Sequence, residues 1–134
     1  MTVRSNGSQP ILIEQDVVLA RQLTRKLAQE CGLRLIDLTK LVTAVSELAR
    51  NTMVYGGGGD MDWEIVEDGL RVGLRLTFRD EGPGIPDLKL AMTDGWTSGG
   101  GLGLGLTGAK RLVDDFDLQT EPGKGTRIMI AKWT

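Results

Sequence analysis

Apolar positions along this chain recur in two different periods, and the change from one to the other divides it into helices and strands. Val17, Ala20, Leu23, Leu27 and Cys31 keep the three- and four-residue spacing of one helical face, which predicts a helix over residues 16–30. Asp16 is placed to cap its start, and Gly32 to end it in a left-handed turn. Arg21, Arg25 and Lys26 fall off the stripe and read as a solvated face. A second helix is predicted from position 36 or 37 to 55, with Leu38, Leu41, Val42, Val45, Leu48 and Ala49 as a seam to pack on a sheet. The period then becomes two. Met61, Trp63 and Ile65 alternate with acids, Asp68-Gly69 signals a hairpin, and Leu70, Val72, Leu74, Leu76 and Phe78 alternate with Arg71, Gly73, Arg75, Thr77 and Arg79.

The rest of the chain fits around that frame. Ile11-Leu12-Ile13 reads as a short first strand, and residues 86–94 as a short helix followed by a loop over 95–101. Leu106, Ala109, Leu112 and Val113 predict a third main helix ending near Phe116. Leu118 then lies in a short strand, Pro122-Gly123-Lys124-Gly125 turns the chain, and residues 126–133 form the last strand. Antiparallel hairpins with helices gathered on one face predict an α+β two-layer sandwich over a mixed, mostly antiparallel sheet. The 134 residues are expected to form a single domain, 1–134, with a core large enough to need no disulfide or structural metal.

Composition removes several classes of function. Sixteen basic against 18 acidic residues leave a net charge of -2, which disfavours a nucleic-acid or polybasic membrane binder. No apolar run approaches the ~20 residues of a membrane span, and the polar first ten residues lack the apolar centre of a signal peptide, so a cytoplasmic protein is expected. Histidine is absent, which excludes histidine acid–base catalysis and histidine-ligated zinc. Cys31, the one cysteine, sits among apolar neighbours and reads as a packed thiol. The 19 glycines are clustered, as in tight turns or a ligand site built from backbone.

Three polar or glycine-rich stretches carry candidate chemistry. In Ser46-Glu47-Leu48-Ala49-Arg50-Asn51, Glu47 and Asn51 stand one turn apart, opposite the apolar seam. A carboxylate beside a carboxamide offers a proton acceptor next to a metal ligand, although that spacing more often marks a solvated face. Asp80-Glu81-Gly82-Pro83-Gly84 follows the best-defined strand, so Asp80 is held rigidly at a strand end. Gly99-Gly100-Gly101-Leu102-Gly103-Leu104-Gly105 precedes a helix, where backbone N–H groups can approach an anion. Gly103 to Gly108 also spells the dinucleotide pattern G-x-G-x-x-G. No strand precedes it and no acid lies about 20 residues on, so that reading fails, as does a Walker A loop.

Together these stretches resemble the boxes of the GHKL superfamily of ATP-binding proteins, which includes gyrases and histidine kinases. Ser46–Asn51 matches the N box, Asp80–Gly84 the first glycine box, Gly99–Gly105 the second, and Gly125-Thr126 the short third box. Ser-Glu-Leu-Ala-Arg-Asn, Asp-Glu-Gly-Pro-Gly-Ile-Pro-Asp, Thr-Ser-Gly-Gly and the Lys-Trp ending are most similar to the RsbT-type stressosome switch kinases, a serine/threonine kinase group of bacterial partner-switching pathways. The anti-sigma kinases of those pathways are more distant. The resemblance implies ATP and Mg²⁺ as cofactors. Asp80 would accept the adenine amino group, Gly82 and Gly84 would let the base approach, and Thr126 would support it. Asn51 would ligate Mg²⁺, and Glu47 would orient or deprotonate the acceptor hydroxyl. Gly99, Gly100, Gly101, Leu102, Gly103, Leu104 and Gly105 would hold the phosphates. Lys89 is the only basic residue of the lid-like segment 86–101, which leaves Arg50 and Lys110 as alternative phosphate contacts. The implied partners are a STAS-domain antagonist as substrate and a PP2C-type phosphatase that the released kinase activates. Alternatives from other classes are an anti-sigma factor or nucleotide-sensing binding module, a plain ATPase, and a histidine-kinase catalytic domain whose acceptor lies in another protein.

Overall fold

A computed structural model describes residues 1–85 and 105–134. The expected helix over 86–94, the loop over 95–101 and the glycines from Gly99 to Gly103 lie outside the described residues. Strand β1 spans Thr2–Ile11, α1 Glu14–Cys31, α2 Leu35–Val54, β2 Gly59–Asp68 and β3 Arg71–Asp80; after residue 104 come α3 Leu106–Leu112, β4 Asp115–Glu121 and β5 Gly125–Trp133. Among the described residues the strands form one five-stranded sheet in the order β1-β2-β3-β5-β4, and its four pairings are all antiparallel, rather than mixed as expected. Leu38, Leu41, Val45 and Leu48 of α2 and Val17, Ala20 and Leu27 of α1 share a core with Met61, Leu74, Leu76, Phe78, Ile128 and Ile130 of the sheet. This is the expected α+β sandwich.

Three boundaries differ from the periodic reading, each for a physical reason. β1 runs through the polar N-terminus rather than starting at Ile11. As an edge strand it is exposed along most of its length, so no apolar alternation marks it; its ladder to β2, from Thr2↔Glu67 to Ile11↔Gly59, creates the strand. α1 begins two residues before Asp16. Asp16 still caps it, because its carboxylate accepts the N–H groups of Leu12 (2.9 Å) and Ile13 (3.2 Å). α3 stops at Leu112 rather than near Phe116. The Asp114 carboxylate accepts the backbone N–H of Trp133 at 2.8 Å and meets Lys132 Nζ at 3.3 Å, drawing the chain into β4, where Phe116 and Leu118 turn inward. Leu70 is likewise a turn residue and fully exposed, beside Gly69 at φ +64°. Gly32, by contrast, ends α1 as expected at φ +85°, with its N–H donating to Gln29 O.

Cys31 is packed, and burial pushes its thiol up to about 11. Alkylation by iodoacetamide at about pH 8 is therefore expected to be slow in the native protein and fast in denaturant, since the thiolate is the nucleophile. Rapid native labelling would mean the helix end opens.

Candidate functional site

The site is built where α2 crosses the end of the central strands. Asp80 closes β3, with Gly59 opposite it on β2 and Thr126 opposite it on β5. Its carboxylate accepts the Gly82 N–H at 2.9 Å, which folds the first glycine box back over it. Asp80 is half-buried, and burial raises its carboxyl above 3.8 while the N–H groups of Gly82 and Thr126 oppose the rise. A side chain at Gly56 would collide with this carboxylate, and Gly82 packs to within 2.7 Å of Gly56 Cα from the place its own Cβ would take. Gly56, Gly58 and Gly59 are closely packed, whereas Gly57 is exposed with open space around it. Gly56 is buried, and Gly58 donates its N–H to Thr52 O at 2.9 Å.

α2 supplies the opposite wall. Its buried seam faces the sheet, which leaves Glu47 exposed and Asn51 half-buried one turn further on, as the helical spacing requires. Asn51, Thr52 and Tyr55 line a small cavity with Phe78, Asp80, Ile85, Leu106, Thr126 and Ile128. Gly105, the first described residue after 104, lies against Glu47: a Cβ there would sit 2.6 Å from Glu47 Oε2, and its φ of +62° also favours glycine. The N box, the Asp80 strand end, Thr126 and the last glycine of the second box thus converge. Gly99, Gly100, Gly101, Leu102, Gly103 and Leu104 are outside the described residues.

The candidate phosphate contacts diverge. Arg50 forms an ion pair with Glu14 of α1 at 3.0 Å, and Lys110 is exposed on α3. The enclosed cavity measures about 20 Å³, room for roughly one water, so a purine needs more space than the described walls leave. A larger cleft of about 620 Å³ opens at the sheet end among Gly57, Asp60, Arg79, Thr120, Glu121 and Arg127 and shares Asp80 and Thr126 with the small cavity. It contains neither Glu47 nor Asn51. No cluster of three metal-ligating side chains occurs among the described residues. A hard cation here would take Asn51 Oδ1, phosphate oxygens and waters, a set that suits Mg²⁺.

Two polar side chains missing from the sequence reading hold the first glycine box. Tyr55 Oη donates to Gly84 O at 3.2 Å, and Thr120 Oγ1 accepts the Ile85 N–H at 2.9 Å. Gly84, at φ +75°, packs against the Glu121 carbonyl, and Gly123 N–H donates to Pro83 O at 2.7 Å. Thr120 could have been found, because it continues the inward alternation of Phe116 and Leu118. Tyr55 had no such signal.

The fold and the converging boxes define a GHKL-type ATPase domain, and residues 36–133 match the family of histidine kinase-, DNA gyrase B- and HSP90-like ATPases, to which the chain belongs. Within that family it stands with the serine/threonine-protein kinases: it is 47% identical to the serine/threonine-protein kinase RsbT of Bacillus subtilis over 92% of each chain. It is also 34% identical to the anti-sigma F factor of Geobacillus stearothermophilus, over 72% of this chain and 69% of that one. The crystal structure of the RsbU and RsbW domains of a Mycobacterium tuberculosis protein shares the fold, with a TM-score of 0.64 at 18% identity, covering 96% of this chain and 32% of that one. Among the described residues no helix is long and apolar enough to cross a membrane.

Proposed function

We propose that the protein transfers the γ-phosphoryl group of ATP to a serine or threonine of a STAS-domain antagonist and, once released, activates a PP2C-type phosphatase. The observation that carries this reading is the placement of Glu47 and Asn51 on the face of α2 turned away from its buried seam, with Gly105 against the carboxylate and Asp80 lining the same cavity as Asn51. Asp80 accepts the adenine amino group, and Gly82 and Gly84 admit the base. Thr126 supports the ring from β5. Asn51 would hold Mg²⁺, which when bound would neutralise charge on the phosphates. Glu47 orients the acceptor hydroxyl and takes its proton as the new phosphorus–oxygen bond forms and ADP leaves. Phosphoryl transfer depends chiefly on positioning and charge neutralisation, so this inventory is sufficient.

The test is incubation of purified protein with Mg-ATP and a STAS-domain protein from the same organism, followed by mass spectrometry of the acceptor. Stoichiometric phosphorylation of a serine or threonine supports the proposal, and an unmodified acceptor in the presence of bound ATP overturns it. A second reading, a nucleotide-sensing anti-sigma factor, draws support from the likeness to anti-sigma F factors. Capture of a sigma factor rather than a phosphatase would favour it. One glycine gives a direct check on the adenine pocket. In Gly56→Ala the added methyl must displace the Asp80 carboxylate, so ATP affinity is expected to fall roughly tenfold by fluorescent-nucleotide titration.

A further inference from the structure

A chemically labile dipeptide sits on the free edge of the sheet, and the packing beneath it explains why it is there. The chain has two asparagines, Asn6 and Asn51. Asn51 lies within α2 and is followed by Thr52, a buried β-branched residue. Asn6 is exposed on β1 and is followed by Gly7. Gly7 pairs with Trp63 in the β1–β2 ladder, and a Cβ on it would come within 2.6 Å of the indole, which packs against the core. Trp63 therefore holds position 7 to glycine, whose main-chain nitrogen has no Cβ beside it to hinder attack on a neighbouring carbonyl carbon.

We propose that Asn6 is a site of spontaneous deamidation that loosens β1. The Gly7 main-chain nitrogen gives its proton to hydroxide and forms a bond to Asn6 Cγ. The bond from Cγ to Nδ2 breaks, ammonia leaves, and a cyclic imide closes. Water then adds to either imide carbonyl and the ring nitrogen leaves, giving aspartate or isoaspartate at position 6. The net change is an amide and one water for a carboxylic acid and ammonia. Extended backbone keeps the Gly7 nitrogen away from Asn6 Cγ, so the ring closes only when this part of β1 leaves the sheet. That opening is easy here. β1 is an edge strand with a neighbour on one side only, and Thr2 to Asn6 are all exposed. The ladder register also shifts between Val3 and Ser5, so pairing on the N-terminal side of Asn6 is already interrupted. The other end of β1 is held, because Ile11 is fully buried and Asp16 accepts the Leu12 N–H. The new carboxylate faces Glu64, its partner in the ladder, and like charges directly opposite on paired strands repel. Isoaspartate adds a main-chain atom as well and puts the residues before it out of register. Deamidation thus marks an opened edge and resists its closing.

The experiment holds the whole chain in mildly alkaline buffer, native and in urea, and follows both asparagines by peptide mass spectrometry, with isoaspartyl methyltransferase reporting isoaspartate. In the native protein Asn6 is expected to convert at least roughly tenfold faster than Asn51, because an edge strand opens locally more readily than a packed helix. Asn6→Gln, whose longer side chain closes the corresponding ring far more slowly, is expected to lose the acidic species. Native Asn6 that stays intact over the time in which urea converts it would overturn the inference, since the edge then does not open. Equal conversion of Asn6 and Asn51 in the native protein would overturn it too, because that is the signature of unfolding of the whole chain. Asn6→Asp, melted beside Asn6→Gln without incubation, tests the consequence. Its melting point is expected to be lower by about 1–4 °C, and equal melting would overturn the loosening of β1.

Discussion

Glu47→Gln is expected to bind ATP as the parent does and to transfer its phosphoryl group about 10²- to 10⁴-fold more slowly. The substitution keeps the size and hydrogen-bonding reach of the side chain while removing its capacity to take a proton. Glu47 lies on the exposed side of α2, away from the apolar seam, so its replacement disturbs no core contact. Its carboxylate also lies where a Cβ on Gly105 would be, and a glutamine amide fits the same space. Single-turnover transfer of labelled γ-phosphate to the acceptor gives the rate, and nucleotide titration gives the affinity. Transfer at the parental rate would remove Glu47 from the reaction. Equal losses in rate and affinity would make it a wall of the pocket rather than a base. Asn51→Asp offers the contrasting pattern, since a change at the proposed Mg²⁺ ligand should alter the dependence on magnesium concentration.

How much of this was legible in the sequence depended on which residues face the core. α2 was read almost to its ends because Leu38, Leu41, Val45 and Leu48 are buried against the sheet and must repeat with the helix. That same repeat placed Glu47 and Asn51 on the other face. β3 was equally clear from Leu74 to Phe78, and its end put Asp80 in place. β1 was nearly invisible, because an edge strand of exposed polar residues is held by backbone pairing that leaves no side-chain pattern. Gly56 is silent in the sequence for a related reason. A glycine required by close approach looks in sequence like a glycine required by flexibility, and only the Asp80 carboxylate beside it separates the two. Thr120 and Tyr55 reach the first glycine box from positions 35 and 29 residues away along the chain, a contact no local spacing encodes.

Asp80→Asn should separate binding from stability. The amide can still accept the Gly82 N–H through its oxygen, so the local turn survives. It no longer offers a charged acceptor to an amino group, and ATP affinity is expected to fall roughly 10- to 100-fold, read by calorimetric titration. Stability should move the other way. Burial raises the Asp80 carboxyl above its unfolded value of 3.8, so between those two values the native state holds a proton that the unfolded chain releases. The contribution of this group to stability is therefore fully present below the unfolded value and is lost as pH rises through the raised native value. Asparagine carries no charge to desolvate and loses nothing over that interval. The variant should melt with the parent near about pH 3 and above it near neutral pH, as measured by thermal denaturation without nucleotide. A variant that melts lower at neutral pH would mean that the ionised carboxylate stabilises this corner of the sheet. A variant that binds ATP like the parent would mean that adenine is not read at Asp80. A gain in stability joined to a loss of affinity is what a carboxylate kept half-buried for a ligand should show.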